Sequence, residues 1–136
     1  MTRFTTATLL LSLAAMPAAA QSFVAENRVT VNGLGAGAFE VIEGGEHGAR
    51  SIWCAASDYA QDVLGATGTQ RLYVTGARGD AQTVPGRKGV IFSTQASGQG
   101  GGGVLSLGAS IRTPGSNLTV DHSYQFCYDR RLTTSR

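Results

Sequence analysis

Trp53-Cys54-Ala55-Ala56-Ser57-Asp58-Tyr59-Ala60-Gln61-Asp62-Val63-Leu64-Gly65 is the one stretch with helical apolar spacing in a chain otherwise patterned for strands. Tyr59 and Val63 stand four apart, and Ala56, Ala60 and Leu64 continue a neighbouring stripe. A helix over Ala55 to Leu64 therefore has an apolar face to lay on a sheet. Ser57 or Asp58 would cap or charge its first turn, and Gly65 sits where a left-handed residue ends a helix.

Upstream, Arg28 to Asn32 alternates with Val29 and Val31 on one face, and Phe39 and Val41 alternate after Gly33-Leu34-Gly35-Ala36-Gly37. That spacing predicts a hairpin with a long Gly-rich turn. Gly44-Gly45-Glu46-His47-Gly48 then breaks the pattern. Downstream, strands are expected at Arg71 to Thr75, Gly89 to Thr94 and Val104 to Ile111. Turns fall at Pro85-Gly86 and Pro114-Gly115, and the run Gly98 to Gly103 forms a loose connection. Leu118 to Tyr128 reads as the longest strand. Leu118, Val120, His122, Tyr124 and Phe126 fall on one face, and Cys127 on the other with Thr119, Asp121, Ser123 and Gln125. The fold class expected is α+β, a mostly antiparallel sheet of about five to seven strands with one short helix. The core is expected from Val29, Val31, Phe39, Val41, Ile52, Trp53, Val63, Leu64, Leu72, Val74, Val90, Phe92, Leu105, Leu107, Val120 and Phe126.

The first twenty residues read differently. Arg3 makes a short positive region, Ala7 to Ala15 is apolar, and Pro17 precedes Ala18-Ala19-Ala20. This is the plan of a secretory signal peptide cleaved near Ala20-Gln21, too short to span a bilayer. Residues 1–20 are thus expected to be a leader, 21–128 one small globular domain and 129–136 a frayed tail. The expected location is the periplasm or the outside of a bacterial cell.

Two cysteines, Cys54 and Cys127, remain in a chain sent to an oxidising compartment, and an even count there predicts a disulfide. Closing a loop of that length is worth roughly 4 kcal/mol in the chain-entropy picture. A reactive Cys54 thiolate at the helix start is the alternative.

Eleven basic residues stand against nine acidic ones, and loss of Arg3 leaves ten. That balance argues against nucleic acid as a partner. The basic residues are scattered. Arg87-Lys88 and Arg130-Arg131 are adjacent pairs that read as a solvated turn and tail.

The polar candidates are few. His122 and Asp121 invite a catalytic reading, but neighbours on a strand point to opposite faces. His47 with His122, and Asp121 or Glu46, would make a two-histidine metal site, though nothing in their spacing demands it. No catalytic residue, cofactor or metal is therefore assigned. Gly33 to Gly37 lacks the following helix of a dinucleotide loop. Arg78-Gly79-Asp80 and the sequon Asn117-Leu118-Thr119 are short enough to arise by chance.

Trp53-Cys54 through Tyr59-Ala60, with Leu64-Gly65, Arg71-Leu72-Tyr73-Val74, Pro85-Gly86, Val90-Ile91-Phe92 and Phe126-Cys127-Tyr128, resembles small exported alphaproteobacterial proteins of unassigned function. The resemblance implies a shared disulfide-closed fold and a bacterial periplasm, and it transfers no catalytic residue. The expected role is a non-enzymatic binding or accessory module with an unknown envelope or periplasmic partner and no membrane span. A small hydrolase or metal-binding protein using His122 and Asp121, or an inhibitor of a secreted enzyme, are the alternatives.

Overall fold

The computed structural model describes residues 22–44, 48–96 and 109–133. The expected leader, His47 and the Gly98 to Gly103 run lie outside them, as does all but the end of the strand expected at Val104 to Ile111. The order is β1 (Ser22–Val24), β2 (Thr30–Gly35), β3 (Ala38–Ile42), α1 (Gly48–Asp62), β4 (Arg71–Asp80), β5 (Lys88–Ser93), β6 (Asn117–Thr119) and α2 (Val120–Thr133). The six strands among the described residues join one sheet in the order β1-β2-β3-β5-β4-β6, and every pairing between them is antiparallel. The α+β reading holds, with two helices among the described residues where one was expected.

The register explains the core. Val31 lies opposite Val41, Val41 opposite Val90, Phe39 opposite Phe92, Phe92 opposite Val74, and Leu72 opposite Leu118. Directly opposed residues share a face, so these side chains form one apolar surface, and α1 lies on it. Tyr59 packs against Phe23 and Phe39, and Trp53 meets Phe92 edge-on at 4.9 Å. The hairpin β2–β3 is as expected but turns more tightly. Only Ala36 and Gly37 lie between the strands, and Gly35, Ala36 and Gly37 all have positive φ. Alanine pays a steric penalty there that glycine does not.

The helix begins seven residues before the expected Ala55 and ends at Asp62, two short of Leu64. Ser57 and Asp58 are consequently mid-helix rather than caps. Residues Ile52 to Ala60 are all buried, because α1 is covered by the sheet on one side and by α2 on another. Gly65, at φ +65°, reverses the chain as expected, with the Ala66 N–H donating to the Ala60 carbonyl. Val63 and Leu64 fall beyond the last helical turn and are exposed, so they are not core.

The expected strand over Leu118 to Tyr128 is overturned. Only Asn117–Thr119 is β, and the chain then becomes α2, continuing to Thr133 in the segment expected to be a tail. Thr119 caps the helix by accepting the His122 N–H on its hydroxyl at 3.2 Å, and Asp121 puts a negative charge in the first turn. Val120, Ser123 and Cys127 are buried at helical spacing against α1. Phe126, expected in the core, is only partly buried.

Candidate functional site

The connection between β4 and β5 folds back across the sheet face opposite α1, and one buried side chain receives it. Glu40, 1% exposed, stands on that face next to Asn32 and Ile91 in neighbouring strands. Its Oε1 accepts the Gln82 N–H at 2.7 Å, and its Oε2 accepts the Thr83 N–H at 2.8 Å and the Thr83 hydroxyl. Asn32 donates to the same hydroxyl and accepts from Ser22. A buried carboxyl group is tolerable only when its oxygens are satisfied in this way. Gly89 leaves room for it, because a Cβ there would lie 3.0 Å from Glu40 Oε1.

The far end of the same connection carries charge. Ala81 N–H donates to the Arg87 carbonyl and closes the loop, Gly86 takes φ +79°, and Arg87 and Lys88 follow. Arg87 donates through Nη2 to the Glu43 carbonyl at 2.8 Å. Arg78, from β4, holds the Glu43 carboxylate through Nε and Nη2, while Lys88 holds Asp80. Glu43, Arg78, Gly86, Arg87 and Lys88 line an open cavity of about 420 Å³. The Glu43 carboxylate raises the Arg78 pKa further, and Lys88 holds the Asp80 carboxyl below its ordinary range. Three cations thus face one lining carboxylate, and each cation is anchored by a bond that leaves most of its donors available.

The second polar locus is the helix seam. Cys54 and Cys127 form the expected disulfide, with Cα atoms 5.0 Å apart. The strand reading aimed Cys127 away from the core, and the helix removes that conflict. So close an approach needs small neighbours. Ser57 and Ser123, both fully buried there, return their hydroxyls to their own helices, on the carbonyls of Cys54 and Thr119. At the rim, Asp58 accepts the Glu26 N–H at 2.7 Å, and Tyr124 donates its hydroxyl to the Glu26 carboxylate. Burial pushes the Asp58 carboxyl above its ordinary range; the Glu26 amide partly offsets this, and Asp62 and Glu26 add to the rise. The hydrogen bond to Glu26 is the main reason that the Tyr124 phenol is pushed up to about 12.

His122 and Asp121 are adjacent on the first turn of α2, both exposed. Successive helical residues diverge by about 100°, so Asp121 is no better placed to orient His122 than it was on a strand. The Asp121 carboxylate instead closes over Gly68, leaving no room there for a Cβ, and the Asp121 N–H donates to the Gly68 carbonyl. His122 packs its ring 5.7 Å from Phe126. The Arg78-Gly79-Asp80 tripeptide lies inside β4 with both charges paired, and Asn117 of the sequon is buried and bonded to Arg71. The cationic groove was missed. Its one signal in the sequence was Arg87-Lys88 after the Pro85-Gly86 turn, since Glu43 and Arg78 join only through the sheet.

No protein-family model matches the chain, and no curated protein or solved structure is detectably similar to it. No helix among the described residues is long and apolar enough to cross a membrane.

Proposed function

We propose that this chain is an exported, disulfide-stapled module that binds an envelope or periplasmic partner, without catalysing a reaction on it, through the groove between Glu43, Arg78, Arg87 and Lys88. The groove carries the binding part of the reading. Its loop is pinned by Glu40 at one end and by Glu43 at the other, so its cations are presented in fixed positions before any ligand arrives. Preorganisation of that kind lowers the ordering cost of association.

Export is supported by the Cys54–Cys127 disulfide, which belongs to oxidising compartments. Fractionation should place the protein outside the cytoplasm, with an N-terminus near Gln21 and no titratable thiol. Immobilised mature protein should retain an envelope component that Arg87→Gln does not retain. Equal retention by both would remove the groove from the reading. A hydrolase screen should find no activity, and a hydrolase activity lost in His122→Ala would overturn the non-catalytic reading.

A further inference from the structure

We infer that the groove binds an oxyanion of the phosphate type, an inference that rests on the groove being the binding surface. Arg78, Arg87 and Lys88 carry three positive charges against the two carboxylates paired with them, Glu43 and Asp80, so the groove keeps a surplus of one charge to offer an anion. Of the five N–H donors on a guanidinium, Arg78 uses Nε and one Nη2 proton on Glu43, and Arg87 uses one on a carbonyl. The remaining guanidinium donors suit the paired oxygens of a phosphate, which arginine meets in a fork and lysine as a point charge. Because the Arg87 anchor is a neutral carbonyl, its charge is not cancelled by that bond. Asp80 sits on Lys88 alone and is exposed to water, so it engages neither guanidinium. The cavity is open, so it suits the end group of a larger molecule as well as a free ion, with affinity on the order of millimolar for the ion alone.

The test is a titration of ¹⁵N-labelled mature protein with inorganic phosphate at pH 7.5, at ionic strength held constant with chloride. The amide signals of Glu43, Gly86, Arg87 and Lys88 should shift together and saturate. Arg87→Gln should weaken the binding about tenfold and Lys88→Gln by less, while Arg112→Gln, an exposed arginine outside the groove, should leave it unchanged. Shifts spread evenly over the surface, no shifts at the groove, or unaltered binding in a folded Arg87→Gln protein would overturn the inference. Sedimentation with phosphatidylglycerol vesicles but not phosphatidylcholine vesicles, lost in Arg87→Gln, would identify a lipid headgroup as the source. Absence of sedimentation with phosphate binding intact would point to a soluble phosphate ester. If phosphate fails while Arg87-dependent retention of an envelope component persists, the ligand class is wrong and the binding surface stands.

Discussion

Replacing Glu40 by glutamine changes almost no volume and removes half of the acceptor capacity at the buried end of the β4–β5 connection. Glu40 accepts two backbone N–H groups, one on each oxygen, and a hydroxyl. Glutamine offers one acceptor oxygen and one NH₂ group. Whichever way the amide is turned, its nitrogen faces a backbone N–H that cannot accept, either that of Gln82 or that of Thr83. One hydrogen bond to a charged group is worth about 1.5–3 kcal/mol, and a buried donor left without a partner costs roughly 1–3 kcal/mol. Partial relaxation of the loop limits the total, so the expected loss is about 3 kcal/mol. For a chain of this size that lowers the melting temperature by roughly 10–15 °C. Urea melts followed by circular dichroism at pH 7 would read the loss as a lower midpoint with little change of slope. Amide exchange should accelerate locally at Gln82 and Thr83. A Glu40→Gln protein within about 0.5 kcal/mol of the parent, with unchanged exchange at those amides, would refute the assignment of Glu40 as the anchor of the loop.

Other perturbations test the remaining parts. Reduction of Cys54–Cys127 should cost about 2–5 kcal/mol, and replacing either cysteine with serine should cost about as much as replacing both; free-thiol titration and urea melts check both points. Because burial raises Asp58, its carboxyl binds its proton more tightly folded than unfolded. Its contribution to stability is therefore largest at low pH and falls as pH rises from about 4 through the raised value. Asp58→Asn should remove that component from a stability–pH curve and still accept the Glu26 amide. Tyr124 should ionise near 12, with its contribution to stability present below about 10 and lost as pH rises toward 12; Glu26→Gln should bring the phenolate transition, followed by ultraviolet absorbance, back down. Gly89→Ala should destabilise, since its Cβ would press on a Glu40 side chain held by three bonds and unable to yield.

The sheet was legible where the alternation was apolar on one side and the turn chemistry agreed with it. Val29, Val31, Phe39, Val41, Val90 and Phe92 are all buried, and the pairing of Cys54 with Cys127 followed from the count alone. The segment Leu118 to Tyr128 misled because its large residues alternate by twos, whereas the positions that matter recur at helical spacing and are small. Val120, Ser123 and Cys127 face α1, and neither a serine nor a half-cystine contributes the apolar signal by which a helix face is recognised. Tyr124 and Phe126, which supplied the false strand face, are only half-buried. The cap at Thr119 and the acid at Asp121 were visible, but these signals are outweighed locally by a β-branched pair, Thr119 and Val120.

The groove was illegible for a different reason. A polar residue between Phe39 and Val41 reads as a solvent-facing position of a one-sided sheet, and Glu40 obeys the alternation while violating the inference drawn from it. What buries Glu40 is a loop about forty residues downstream, and only the sheet order, which sets β3 beside β5, brings the two together. The same order places Glu43 beside Arg78 and Arg87, so the anchor and the cations are consequences of one long-range fact. A change that leaves every groove residue in place but frees the loop should therefore weaken binding. Glu40→Gln tests this without touching the cavity. Its phosphate affinity should fall severalfold while the protein remains folded at low temperature. Unchanged affinity in a protein whose Gln82 and Thr83 amides exchange faster would mean that the cations need no anchoring from Glu40, and the link between the buried carboxyl and the groove would have to be abandoned.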